Sequence, residues 1–189
     1  MTTTVTPLTA ATGTYTIDPT HSRIGFVARH AMVTKVRGSF NEFAGTGHLD
    51  AEDPTRSSLQ VTIQAASIDT RNADRDGHLR SNDFFDMEAH PEITFVSTAI
   101  DRTGEETFSV TGDLTIKGLT KPVTFDVEYS GSAVDPYGNH RIGLEGSTTV
   151  NRKDWGITWN AALDAGGVLV GEKVTLEFEV SAIRSADDA

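Results

Sequence analysis

The 189-residue chain contains no cysteine, which excludes disulfides, thiolate nucleophiles and zinc sites with Cys ligands. It also lacks an apolar run as long as a transmembrane helix needs, so no stable membrane insertion is expected. Basic residues are few: 16 Lys and Arg stand against 27 Asp and Glu, a formal net charge of -11. This charge argues against a nucleic-acid partner and against peripheral binding to an anionic membrane through a basic patch.

The amino-terminal segment has neither the basic residues nor the apolar stretch of a secretory signal. Taken as the natural start, it predicts a cytoplasmic protein, whereas a chain from which an export signal had been removed would look the same. Residues 1–12 are rich in Thr and Ala without periodicity, and residues 185–189 are similar. We expect both to be flexible tails of a single domain that spans 13–184.

Eight stretches of the chain alternate apolar and polar residues with period two, most clearly at 123–129 and 174–180. Successive side chains of a β-strand point to opposite faces, so each stretch predicts a strand with one apolar and one polar face. Eight such strands joined by short turns predict an all-β, eight-stranded antiparallel, lipocalin-like barrel. Its interior is wide enough for side chains or one small ligand. The predicted strands are 15–30, 36–49, 58–68, 92–102, 106–117, 122–133, 140–151 and 170–183.

Residues 72–90 are the one long stretch without this alternation, and they predict a short helical insert. Asn72 can cap a helix, and Asp76 and Arg80 are four residues apart, so they can pair along one helix face. Phe84 and Phe85 bring two large apolar side chains to the insert. We expect them to pack against the barrel or across one of its mouths.

Candidate catalytic and metal-binding features are sparse. The six histidines form no HxH or HExxH arrangement, and no Gly-x-Ser-x-Gly motif is present. His78 lies near Asp76 and Asp83, which leaves a carboxylate-rich site open against the commoner alternative of an exposed, salt-bridged helix surface. Neither a metal nor a cofactor is predicted, apart from a bound lipid.

Strand parity indicates where other candidate side chains point. Ile24, Phe26, Ala28 and His30 share one face, so His30 is predicted to point inward. It is either a core histidine with one hydrogen-bond partner or a contact for the polar head of a ligand. The two tryptophans, at 155 and 159, fit equally well as core side chains and as pocket walls.

Several longer motifs extend across the chain. They include YTIDPTHS at 15–22, VRGSFNEFAG at 36–45, RDGHLRSNDFFD at 75–86 and NRKDWG at 151–156. Together with 67–70, 90–95, 112–118 and the last strand, they resemble the YceI-like family over roughly 15–183. That resemblance implies a lipocalin-like barrel that holds amphiphilic, often polyisoprenoid, lipids. Two features depart from the family pattern: no export signal is present, and Trp155 stands where Phe or Tyr is expected.

The sequence therefore predicts a non-enzymatic protein that binds and sequesters or carries a lipophilic or amphiphilic molecule, with an isoprenoid lipid or quinone favoured. Two alternatives stay open: an enzyme acting on a lipophilic substrate through His30 or the Asp76, His78 and Asp83 group, and a ligand-free stress or interaction protein. A homodimer is also left open. The predicted ligand-binding residues are Ile24, Phe26, Ala28, His30, Val36, Phe40, Phe84, Phe95, Leu114, Phe125, Leu144, Trp155, Trp159 and Phe178.

Overall fold

A computed structural model describes residues 8–188 of the chain. This part contains eleven β-strands and one α-helix, α1, at Ala73–Arg80. The strands are β1 (Gly13–Ile17), β2 (Arg23–His30), β3 (Thr34–Phe40), β4 (Phe43–Leu49), β5 (Ser58–Gln64), β6 (Ile68–Asp69), β7 (Glu92–Arg102), β8 (Thr107–Ile116), β9 (Leu119–Val134), β10 (His140–Asn151) and β11 (Val170–Arg184).

The predicted eight-stranded antiparallel barrel is confirmed, with three of its eight strands broken in the middle. β1 and β2 form one such strand, β3 and β4 the second, and β5 and β6 the third. The barrel closes because β11 pairs with β10 on one side and with both β1 and β2 on the other. Between these strands the order is β4, β5, β7, β8, β9, β10, each antiparallel to its neighbours.

The first break has a clear cause in the sequence. Pro19 has no backbone N–H for a strand ladder, and Asp18 turns the chain by accepting hydrogen bonds from the Thr20 N–H and hydroxyl at 3.0 and 2.6 Å. The second and third breaks are tied together, because the Asn41 N–H donates to the Ser67 carbonyl at 3.1 Å. The alternation of apolar and polar residues does not by itself reveal these breaks, because apolar positions recur on both sides of each one.

The barrel has two distinct ends. The insert end carries the β2–β3 turn at 31–33, the α1 insert at 70–91 and the long β10–β11 connection at 152–169. The terminal end carries residues 8–12, the β4–β5 connection and the β9–β10 turn, together with residues 185–188.

The helical insert predicted at 72–90 is present, and α1 occupies its first half. Asn72 caps α1 as expected, accepting a hydrogen bond from the Arg75 N–H at 2.9 Å. The helix ends at Arg80 rather than continuing toward residue 90, because the Ser81 N–H and hydroxyl both bond back to the His78 carbonyl. Residues 81–90 then form hydrogen-bonded turns. Within 8–188 no helix combines the length and apolar character required to cross a bilayer.

The predicted amino-terminal tail is too long. Residues 1–7 lie outside the described part of the chain, as does residue 189. Leu8 and Ala11 are buried, and the Ala11 carbonyl accepts a hydrogen bond from the Tyr15 hydroxyl at 2.7 Å. Ser185 in turn donates its N–H to the Thr14 carbonyl at 2.8 Å. The segment from Leu8 to Thr12 is therefore part of the folded domain.

Candidate ligand-binding cavity

The inward side chains of the strands enclose a cavity of about 330 Å³. This volume lies at the lower end of the range of roughly 300–1,000 Å³ that is usual for small-molecule sites. The wall is almost wholly apolar, because every second residue of each strand faces inward and these positions carry Ile, Leu, Val and Phe. Such an interior excludes water and suits hydrocarbon.

Eleven of the fourteen residues predicted from strand parity and the motifs line this cavity. They are Ile24, Phe26, Ala28, Phe40, Phe84, Phe95, Leu114, Phe125, Leu144, Trp155 and Phe178.

The remaining three, His30, Val36 and Trp159, lie outside the cavity wall. His30 is exposed at the last position of β2, opposite Thr34, so the prediction that it points into the interior is wrong. Parity places it on the inner face, but the strand has run past the end of the cavity there. Val36 is half-buried opposite Ala28 and adds nothing to the wall.

Phenylalanine rings shape the interior. Phe125 stands between Phe95 and Phe178 with ring centroids 5.4 and 5.7 Å apart, close to T-shaped geometry. The Phe178 ring lies across Gly146 of the neighbouring strand, where an added Cβ would come within 2.7 Å of it. Phe26 covers Gly38 in the same way. The rings can therefore lie along the barrel wall, because the glycines opposite them have no side chain.

Sequence reasoning missed many other lining residues that obey the same parity. Examples are Ile63, Ile93, Val110, Val127, Tyr129, Ile142 and Val180. Tyr129 differs from the others, since its side chain is almost completely buried and its hydroxyl has no hydrogen-bond partner within residues 8–188. A polar atom in an apolar wall is the feature from which a ligand could gain orientation.

Trp155 is both a core side chain and part of the pocket wall. It is 2% exposed, and its indole N–H donates to the Leu114 carbonyl at 2.9 Å. The hydrogen bond removes the cost of burying the indole nitrogen. The larger ring, in place of the Phe or Tyr expected from the family, is thus accommodated without an unpaired donor.

Arg152, which the sequence analysis did not single out, is a buried cation beside the cavity. Its guanidinium donates to the carbonyls of Ile157 and Trp159 at 2.8 and 2.9 Å and of Gly171 at 2.9 Å, with a longer bond to Val170. Burial lowers the pKa of Arg152 from its ordinary value, and nearby Glu172 opposes that shift. Through these hydrogen bonds, the Arg152 side chain holds the β10–β11 connection against the barrel.

Two aromatic side chains and a histidine close the insert end. The His78 ring lies edge-on to Phe84 and Trp159, with centroids 5.0 and 4.6 Å apart, and Phe84 contacts Trp159 at 5.5 Å. Phe84 lines the cavity, so Trp159 forms a second layer behind it. The Phe85 ring packs against Phe40 at 5.9 Å. This confirms that Phe84 and Phe85 pack on the barrel.

The proposed Asp76, His78 and Asp83 group does not form one site. Buried Asp76 accepts from the Thr70 N–H and hydroxyl at 2.9 and 2.5 Å, whereas His78 Nε2 lies 2.8 Å from Asp83 Oδ2. Arg80 donates to backbone carbonyls before β6 and within it, so its predicted pairing with Asp76 is also wrong. Across residues 8–188, no cluster of three His, Asp or Glu side chains is placed to hold a metal ion.

An antiparallel barrel of eight strands, closed around an apolar cavity and covered at one end by a helical insert, defines a class of proteins that can enclose a small molecule. The family model described as the YceI-like domain matches residues 15–182. The chain belongs to this family, as its motifs predict.

Relatives and solved structures agree with this assignment. A UPF0312 protein of Staphylococcus epidermidis is 43% identical over 175 residues, covering 92% of this chain and 98% of that protein. The crystal structure of BcnA from Burkholderia cenocepacia gives a TM-score of 0.77 at 26% identity, covering 87% of this chain and 98% of that one. A polyisoprenoid-binding domain from Saccharophagus degradans gives 0.68, covering 90% and 98%; its 15% identity makes it evidence for the fold alone.

Proposed function

We propose that this protein binds a lipophilic or amphiphilic molecule inside the barrel and sequesters or carries it. The observation that carries this proposal is the cavity of about 330 Å³ with its almost wholly apolar wall. An isoprenoid lipid or a quinone with an isoprenoid tail is the favoured ligand. The Saccharophagus domain, described as polyisoprenoid-binding, has the same fold, and the proposal extends that class of ligand to this chain.

Tail burial supplies most of the binding free energy in this proposal. Each methylene that leaves water contributes about 0.8 kcal/mol, so a five-carbon isoprene unit adds about 4 kcal/mol before ordering costs. Affinity should therefore rise with tail length until the cavity is full and then level off. A catalytic site would not by itself impose that dependence.

Tyr129 supports a ligand with a polar group as well as a tail. Its hydroxyl has no partner within residues 8–188, although the residue is only 1% exposed and lines the cavity. Leaving a buried hydroxyl unpaired costs about 1–3 kcal/mol, which a ligand oxygen could recover by accepting its hydrogen bond. The carbonyl of a quinone and the oxygen of a polyprenyl alcohol both meet that requirement.

The two alternatives receive less support. An enzyme would need a reactive group at the cavity, but none of the residues named for this alternative (His30, Asp76, His78 and Asp83) lines it. A barrel filled by its own side chains would leave no room of this size for a ligand. We therefore infer a binding protein that performs no chemistry. Its role as a carrier, its location in the cytoplasm and its oligomeric state stay predictions.

The test is mass spectrometry of organic extracts from the purified protein, followed by titration of the delipidated protein with polyprenyl alcohols of increasing length and with quinones. We expect a co-purified lipid, and affinity that rises with tail length. The Tyr129→Phe variant should keep binding tails but lose part of its preference for ligands with an oxygen acceptor. Absence of any extracted lipid together with no binding of either probe would refute the proposal.

A further inference from the structure

The turn between β2 and β3 presents two apolar side chains to solvent at the insert end. Met32 and Val33 are 63% and 73% exposed, and they are adjacent in the chain. The turn is tight, because the Val33 N–H donates to the His30 carbonyl at 3.1 Å across only two residues. Exposed single apolar residues are ordinary, whereas contiguous exposed apolar surface is often a site of contact with proteins or membranes.

The backbone of this turn is unfavourable for the residues that occupy it. Ala31 and Met32 have φ angles of 50° and 63°, in the left-handed region. Two-residue turns of this kind favour Asn-Gly, because side chains with a Cβ and no local hydrogen bond are disfavoured there. The turn conformation itself therefore does not favour Ala-Met at these two positions.

The tip continues into a second apolar segment. The Ala31 N–H donates to the Leu169 carbonyl at 2.7 Å, and the Met32 sulfur lies against Gly167, where an added Cβ would come within 2.5 Å. The adjoining stretch 161–169 reads AALDAGGVL, with one charged residue in nine positions. Turn and connection together form an apolar rim on one side of the insert end.

Three cationic side chains lie next to this apolar rim. Arg29, Lys35 and Arg37 are exposed on the outer face of β2 and β3. Arg29 is directly opposite Lys35 in the register, an arrangement of like charges that destabilises a sheet. None of the three forms an ion pair with another described residue; Arg29 donates only to the Val33 carbonyl, at 3.3 Å.

Exposed carboxylates lie at both ends of the barrel. Those at the insert end include Asp74, Glu88, Asp154 and Asp164, and none of them forms an ion pair with the three cations. At the terminal end and its adjoining strands, the exposed carboxylates include Glu52, Asp101, Glu105, Glu106 and Asp187. The outer faces of β9 and β11 add Asp126, Glu128 and Glu179. Although the net charge of the chain is -11, Arg29, Lys35 and Arg37 form a local cationic edge. A negatively charged surface would attract this edge of the insert end.

We propose that the β2–β3 tip docks the insert end on a bilayer that contains anionic phospholipid. Met32 and Val33 enter the interfacial region, while Arg29 and Lys35 contact lipid phosphates beside them. A pair of apolar residues gives reversible docking and no stable insertion. The net-charge argument against peripheral membrane binding averages over the whole surface, whereas this proposal rests on the local charge of one edge. The docking does not depend on the proposed ligand, since it can be measured without one.

The charge requirement is tested by vesicle sedimentation of the full chain. Vesicles of phosphatidylcholine are compared with vesicles that also contain phosphatidylglycerol, at low salt and at about 0.15 M salt. We expect binding to the anionic vesicles only, weakened by salt. Arg29→Gln and Lys35→Gln should each reduce the affinity about fivefold, the usual contribution of one basic residue near an anionic surface. Arg56→Gln is the matched control at the terminal end and should have no effect.

The apolar requirement is tested by a variant that replaces Ala31→Asn and Met32→Gly together. This change installs the dipeptide that the turn favours, so the thermal midpoint should stay the same or rise while vesicle affinity falls severalfold. Undetectable binding of the wild type to anionic vesicles at low salt would overturn the proposal. So would equal binding to neutral vesicles, an equal loss in Arg56→Gln, or unchanged affinity of the turn variant. Each of these outcomes leaves the ligand titrations unaffected.

Discussion

Arg141 Nη1 lies 2.7 Å from Asp18 Oδ2, and this contact joins residues 123 positions apart in the chain. The same guanidinium donates through Nε to Asp135 at 2.7 Å, so it ties the β1–β2 break to the β9–β10 turn. The pKa of Asp18 is held well below its ordinary value by the Thr20 hydroxyl first and by Arg141 second. For Asp135, Arg141 is the main cause of the lowered pKa.

This network makes stability depend on acid pH. Because the folded-state pKa values are depressed, the stabilisation is present above the ordinary carboxyl value of 3.8 and is lost as the pH falls below it. We expect Arg141→Leu to lower the thermal midpoint at neutral pH and to differ less from wild type as the carboxylates become protonated. Thermal scans from pH 7 to pH 2 measure this, with Arg56→Gln as a control. A constant difference across that range would contradict it.

Trp155 and Leu114 give a second prediction. Trp155→Phe removes the indole N–H that donates to the Leu114 carbonyl. We expect a loss of about 1–2 kcal/mol in the free energy of unfolding, measured by denaturant titration, with ligand binding retained. Retention follows because the smaller ring keeps the wall apolar. Loss of ligand binding in a folded variant would show that Trp155 contacts the ligand specifically.

The inner and outer faces of the barrel should respond differently to substitution. Phe125→Asp places an unpaired charge between the rings of Phe95 and Phe178, so we expect it to abolish ligand binding and to cost more than about 3 kcal/mol of stability. Glu179→Gln, on an exposed position of β11, should change either property little. Chemical denaturation and ligand titration are measured on both. Equal damage from the two changes would mean that the assigned faces are wrong.

Arg152 should govern the order of the β10–β11 connection. Arg152→Met removes the donors to the carbonyls of Ile157, Trp159 and Gly171, and each unpaired carbonyl costs about 1–3 kcal/mol if it stays buried. We expect faster hydrogen exchange across 157–171 and a lower thermal midpoint. Lys153→Met, which removes only an exposed pair with Glu172, is the matched control. If hydrogen exchange across 157–171 is unchanged in the Arg152 variant, apolar packing and not Arg152 keeps this segment ordered.

Much of the cavity could be predicted because a strand's side-chain direction is a local property. Phe26, Phe95, Phe125 and Phe178 all line the cavity as their parity requires. His30 shows the limit of that reasoning, since parity gives the face of a strand and says nothing about how far along the barrel axis the cavity extends. Trp159 shows the same limit for a loop, where no regular alternation applies.

Arg152 and Tyr129 escaped prediction for a different reason. Arg152 is buried by its contacts with the carbonyls of a connection that returns to the barrel up to 19 residues later. Tyr129 is one of many inward positions, and only the assembled wall shows that its hydroxyl lacks a partner within residues 8–188. Both features depend on groups that come together after the chain has folded.

The sequence by itself determined the strand class, the inward set of side chains and the family, because periodicity, parity and motif spacing are written along the chain. The tertiary structure decided how the barrel closes, since β11 meets two separate strands, β1 and β2, that alternation reads as one. It also decided where charge accumulates. Net charge is a sum over residues, whereas the edge formed by Arg29 and Lys35 exists only because antiparallel pairing sets them opposite each other.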